Sequence, residues 1–199
     1  MFRHSVKATA ISVAALALLA GLGLAQAGGY GGPYSFGSPA SKADIAAYDT
    51  DIRPDGGGLP PGSGTYAAGK EVYMSKCVHC HGEKLDGNKN APPVNGVVRN
   101  GGALIGGMGT LNTPNPKLTI QSFWPYAPTV FDFTKRTMPF DQPGSLTDDE
   151  IYSVTAFIFG EAGIIKKSMT LNAKSLGKVK MPNRDGFVSD PRPEVYGYD

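Results

Sequence analysis

The chain has 199 residues, with 19 Lys and Arg set against 17 Asp and Glu, and it is rich in Gly (27) and Pro (16). So even a charge balance gives nucleic-acid binding no electrostatic support. The Gly and Pro content predicts long loops around one domain with extended flanks.

Residues 1–27 read as a secretory leader. Arg3, His4 and Lys7 form a basic start, Ala8 to Leu24 is an uncharged apolar run, and Ala25-Gln26-Ala27 is a small-x-small cleavage site. The alternative is an uncleaved anchor, for which the run is slightly short. Cleavage after Ala27 predicts a periplasmic protein with no membrane span left. Loss of Arg3 and Lys7 brings the bases level with the 17 acids. No Cys follows the run, so no lipid attachment is expected.

Residues 28–64 read as a Gly/Pro-rich arm. Ser41 to Tyr48 has room for one or two helical turns, and Arg53-Pro54-Asp55-Gly56-Gly57-Gly58-Leu59-Pro60-Pro61-Gly62 cannot continue a helix or a central strand. Ile45, Tyr48, Ile52 and Leu59 offer apolar anchors, which favours packing over a loose linker.

Thr65 to Lys76 predicts the first core helix, built from good helix formers such as Ala67, Ala68, Glu71 and Met74. Gly69 and Tyr73 fall four apart on one face, where a small residue admits a second helix.

The helix leads into Cys77-Val78-His79-Cys80-His81. A Cys-x-x-Cys-His run is the attachment site of a c-type haem. Two thiols three apart on a helical turn face one way and can each add across a haem vinyl group. His81 then offers its imidazole to the iron. A thioredoxin-like pair would sit at a helix start in a βαβ setting, which is not the pattern here. A structural zinc site needs four ligands, and no third Cys exists. One haem c per chain is therefore expected.

Residues 82–118 read as a glycine- and proline-punctuated loop wrapping the haem edge. Pro93 is read as the carbonyl that accepts the Nδ1–H of His81 and orients it, against a plain turn made by Pro92 and Pro93. Ser122 to Thr137 holds Phe123, Trp124, Tyr126, Phe131 and Phe133, and Pro125 or Pro128 can start a helix that runs to about Arg136. These aromatics are read as haem walls. Trp124 N–H and Tyr126 O–H are candidate propionate donors, with a plain core role equally open.

Met138, in Thr137-Met138-Pro139, is read as the sixth iron ligand, because a Pro-bounded loop after a helix can aim a thioether at the iron. Met108, in a glycine loop, is the main rival; Met74, Met169 and Met181 stand behind it. Thr147-Asp148-Asp149-Glu150 is a capping box that opens a helix to about Phe159, with a broad apolar face able to pack on Gly69 and Tyr73. Gly160 and Gly163 end it. Ile164 to Asp199 reads as an extended arm with scattered Lys residues, more solvated surface than docking site.

The order helix, haem motif, loop, helix, Met, helix resembles a class I cytochrome c: an all-α fold of about four helices around one covalently bound haem. On this resemblance residues 65–164 form the cytochrome domain, between arms at 28–64 and 165–199. Further stretches, Asp51 to Pro60, Trp124-Pro125-Tyr126-Ala127, Met138-Pro139-Phe140, Pro143 to Thr147 and Met181 to Phe187, resemble the cytochrome subunits of sulfite dehydrogenases and of the Sox-type sulfur dehydrogenase. That likeness implies electrons received from a molybdenum-cofactor dehydrogenase subunit that oxidises a sulfur compound. It also implies a downstream cytochrome or terminal oxidase as acceptor.

With His81 and Met138 both on the iron, the chain would relay electrons and perform no catalysis by itself. The alternative is a haem enzyme or gas-binding cytochrome with a labile sixth ligand, which needs a polar distal pocket. No distal His and Arg pair is evident in the sequence.

Overall fold

The computed structural model describes residues 38–90, 93 and 101–189. The predicted leader at 1–27, the Gly-rich start of the arm, Pro92 and residues 190–199 lie outside the described residues. The chain divides into two compact units, Met1–Asp49 and Thr50–Asp199.

In the first unit, α1 (Lys42–Tyr48) is started by a reciprocal cap. Asp44 N donates to Ser41 Oγ (3.1 Å) and Ser41 N donates to the Asp44 carboxylate (2.9 Å). The Ser41 hydroxyl and amide hold the Asp44 carboxyl below its usual range. No residue of α1 is buried, and Ile45 and Tyr48 are exposed. Those two of the four expected anchors are therefore not core residues.

The second unit contains β1 (Ser63–Gly64), α2 (Tyr66–Lys76), α3 (Val78–His81), α4 (Ala127–Thr137), α5 (Asp148–Glu161), β2 (Leu171–Asn172) and α6 (Ala173–Leu176). Among the described residues the only sheet is the two-residue antiparallel ladder of β1 and β2. The all-α expectation holds.

Helix α5 is the spine. Thr147 caps it as the sequence predicts, with Glu150 N donating to Thr147 Oγ1 (3.3 Å) and Thr147 N to Glu150 Oε2 (2.7 Å). Asp148, Asp149 and Glu150 complement the positive end of the helix dipole. Every residue from Ile151 to Gly160 is buried. The expected apolar face is thus a helix buried all round, because α2, α4, β1 and β2 all pack against it.

Helix α2 crosses α5 at Gly69. A Cβ there would lie 1.8 Å from the Ser153 carbonyl oxygen, so the backbones touch where any side chain would part them. Tyr73 lies one turn on, fully buried, with its ring 5.1 Å from that of Phe157. Its hydroxyl donates to Gly82 O (2.6 Å) just past the haem motif. Burial pushes the Tyr73 phenol well above its ordinary value, so it stays a donor. The central prediction, a first helix packed by its glycine face on the capped helix, is met.

The flanks are less like arms than the sequence suggests. Ile52 is buried and Leu59 packs on the core. Beyond α5, the chain turns back so that Ser63 pairs with Asn172 and Gly64 with Leu171. Leu171, Leu176 and Met181 are 0–1 % exposed. Full burial of a side chain of that size contributes roughly 1.5–3 kcal/mol, so these three side chains anchor the segment to the core, with Lys174, Lys178 and Lys180 left exposed between them. The sequence hides this because a two-residue strand and a one-turn helix carry no periodicity.

Candidate functional site

Cys77 lies at the junction of α2 and α3. Its amide donates to Tyr73 O (2.9 Å) as the last bond of α2, and its carbonyl accepts from Cys80 N (3.2 Å) and His81 N (3.0 Å) as the first bonds of α3. The packing of α2 on α5 therefore fixes where the motif begins. Burial, with the neighbouring Cys80 adding to it, pushes the Cys77 thiol up to about 12.

The far end of α3 is held by the loop that follows. Asn88 Nδ2 donates to His79 O (2.7 Å), Asn88 N donates to Cys80 O (3.1 Å), and Gly87 N donates to His81 O (2.9 Å). Three carbonyls that a one-turn helix leaves unpaired are thereby satisfied. Leu85 carries the turn at φ 57°, a left-handed conformation unusual for a branched side chain, and is buried. Its carbonyl accepts from Leu104 N (2.8 Å), which brings residues 101–105 alongside α3.

That approach orients His81. Its Nδ1 lies 2.8 Å from Gly102 O. A carbonyl only accepts, so Nδ1 carries the proton and Nε2 is left as the unprotonated ligand nitrogen. The expected carbonyl was that of Pro93. The structure corrects this: Gly102 O fills the role and Pro93 is exposed. Gly101 makes the approach possible, since a Cβ on it would stand 2.6 Å from Cys80 O and 2.9 Å from His81 Nδ1.

These groups open onto a cleft of about 780 Å³, inside the ~300–1,000 Å³ span of small-molecule and cofactor sites. Cys77, Cys80 and His81 line it together with Met138. Its apolar lining includes Leu104, Ile120, Trp124, Val130, Phe133, Leu146, Val154 and Ile158. Met138 ends α4, where its amide donates to Thr134 O (3.0 Å), and the Met138–Pro139 peptide bond is cis. Helix α4 has Pro128 in its first turn, as the sequence predicts.

Among the described methionines Met138 alone lines the cleft. Met74 and Met108 are exposed, Met181 is buried and Met169 is partly buried against the core. The rival Met108 is not in the cavity.

The aromatics divide. Trp124 lines the cleft and meets Phe133 edge-on, with centroids 5.6 Å apart. Tyr126 does not line it; the Arg184 guanidinium carbon lies 4.2 Å from the centre of its ring. Phe131 is core, 4.5 Å from Tyr152. Nothing in the sequence singles out Asn88, and it marks Gly101 and Gly102 only as two of many loop glycines. A paired glycine following the motif is the one local signal that marks the last two.

Two thiols, a correctly tautomerised imidazole and an apolar cavity of this size fit a covalently attached haem c. Among the described residues no cluster of His, Cys, Asp or Glu could hold a metal ion, and no helix is long and apolar enough to cross a membrane.

Comparison with known proteins agrees. The cytochrome c family model matches residues 66–159. Among solved structures, a chain in the crystal structure of the sulfane dehydrogenase SoxCD from Paracoccus pantotrophus is 36% identical, with a TM-score of 0.69, over 80% of this chain and 73% of that one. No curated protein sequence matches.

Proposed function

The chain belongs to the cytochrome c family, and on that premise we propose that it is a monohaem electron carrier of the periplasm. It accepts single electrons from a molybdenum-cofactor subunit of a dehydrogenase for sulfite or another sulfur compound. It passes them to a downstream cytochrome or terminal oxidase. Export would follow cleavage after Ala27. The likeness to a chain of the sulfane dehydrogenase SoxCD supports the choice of partner.

The observation that carries the reading is the gathering of Cys77, Cys80, His81 and Met138 on one apolar cleft. The haem, when bound, supplies a one-electron iron couple. Cys77 and Cys80 would hold it covalently. His81 would present Nε2 to the metal, because Gly102 O accepts the proton on Nδ1. Met138 would offer its thioether to the iron, and a thioether paired with imidazole raises the potential. Leu104, Ile120, Val154 and Ile158 would give the haem an apolar wall. With both protein ligands bound the iron would have no position for a substrate, which supports reading the chain as the electron-transfer component of an oxidoreductase.

The test is spectroscopic. The protein, made in a host that attaches haem c, should keep a peroxidase-active haem on a denaturing gel. It should show a sharp reduced-minus-oxidised spectrum and bind carbon monoxide slowly at neutral pH. Rapid carbon monoxide binding by the reduced protein would overturn the carrier reading in favour of a gas-binding or catalytic haem with a labile ligand. Addition of the purified dehydrogenase and its sulfur substrate should reduce the haem; failure with every such dehydrogenase of the host would remove the proposed donor.

A further inference from the structure

The segment 181–187 grips the stretch of chain on either side of Trp124. Met181 is buried in the core and anchors it. Arg184 N donates to Met181 O (3.1 Å) and Gly186 N donates to Asn183 O (3.2 Å), two successive turns that shape the segment. Asn183 Nδ2 donates to Phe123 O (2.8 Å). Phe187 meets the Phe123 ring edge-on, with centroids 5.2 Å apart. Arg184 stacks on Tyr126. Residues 123 and 126 are thus both held from outside, and Trp124, between them in the chain, faces the cleft.

We propose that Asn183, Arg184 and Phe187 form a positioning clamp that fixes the Trp124 indole as a wall of the haem cleft. This rests on the haem reading above and deepens it. The clamp has a chemical consequence. An indole held in place excludes water from the haem, and a drier haem disfavours the ferric state, which carries the extra positive charge. Release of the clamp admits water and lowers the potential. The segment then acts on the redox centre from the surface, without touching the cleft.

Trp124 is the only tryptophan of the 199 residues, so its emission reports one site. The full-length holoprotein is compared with Asn183→Ala, Arg184→Ala, Arg184→Lys and Phe187→Ala. The Phe123 amide, which donates to Thr119 O (2.9 Å), is expected to exchange about tenfold faster in Asn183→Ala, as loss of one restraining hydrogen bond implies. Trp124 emission should rise as the ring moves from the quenching haem, and the potential should shift downward. Arg184→Lys should fall with Arg184→Ala, because an ammonium does not reproduce a stacked planar guanidinium.

Lys167→Ala is the control. It breaks the contact of Lys167 with Glu161 and Tyr66, away from the cleft lining, and should leave emission and potential as they are. Unchanged exchange and emission in both Asn183→Ala and Phe187→Ala would overturn the clamp. So would a control that shifts both as much as they do. A parent protein without a haem spectrum would instead defeat the proposed function, and the exchange rates alone would then decide the clamp.

Discussion

Gly69 and Ser153 meet with no space between them: a Cβ on Gly69 would lie 1.8 Å from the Ser153 carbonyl oxygen and 2.9 Å from the Phe157 Cβ. The contact is backbone on backbone, so no side chain can rotate away to make room. Gly69→Ala must push α2 off α5 and should destabilise the fold by about 1–3 kcal/mol. Because α2 runs directly into Cys77, the yield of attached haem should fall as well. Denaturant unfolding together with haem-to-protein ratio measures both; a wild-type midpoint would show that the helices do not depend on this crossing.

Gly101→Ala addresses the proximal histidine. The new methyl would sit 2.6 Å from Cys80 O and 2.9 Å from His81 Nδ1, so the loop bearing Gly102 O must retreat. An imidazole that loses its N–H acceptor is a less basic ligand and stabilises ferric iron less. The potential should rise, with the haem still attached. Redox titration is the check, and a potential that stays put or falls would mean that the Gly102 bond does not tune the iron.

Met138→Ala and Met108→Ala form a matched pair. The first should abolish the weak absorbance band of an Fe–S(Met) bond, lower the potential and leave the covalent haem in place. The second removes an exposed side chain, 55% accessible, and should change neither. If Met108→Ala removes the band, the ligand assignment reverses.

Glu161 links the end of α5 to the turn that follows it. Its carboxylate accepts from Lys167 Nζ (2.6 Å) and from the Tyr66 hydroxyl. Hydrogen bonds from Lys167 first, then from Tyr66, hold its carboxyl below the ordinary value of 4.5. A carboxyl lowered by folding adds stability that is fully present above that ordinary value. It is lost as the pH falls through the lowered one. The melting temperature of the parent protein should exceed that of Glu161→Gln by a constant margin near neutrality, and the margin should close in acid. A margin that survives full acidification would mean that the carboxylate charge contributes nothing.

How much of this was legible before folding depends on how local each feature is. The haem motif, the Thr147 cap and the glycine face of α2 are written in adjacent or helically spaced residues, and each appears where the spacing places it. The carbonyl beside His81 is different. Gly102 reaches it only because Leu85 turns left-handed and accepts from Leu104, a chain of backbone bonds with no side-chain signature. Pro93 was the nearer residue to suspect, and it is exposed. Trp124 and Tyr126 are two residues apart in one aromatic run, and their partners Phe133 and Arg184 send one into the cleft and leave the other outside it. Arg184 lies far along the chain, so no window of local sequence contains the pair.

The Ser63–Asn172 and Gly64–Leu171 pairing joins two points that flank nearly the whole haem-bearing stretch. Contacts between residues so distant along the chain cost loop entropy before they return any stability. Burial of Leu171 in the core offsets that cost. The haem-bearing stretch is therefore a loop closed at its base, whose two ends cannot part without exposing that side chain to water.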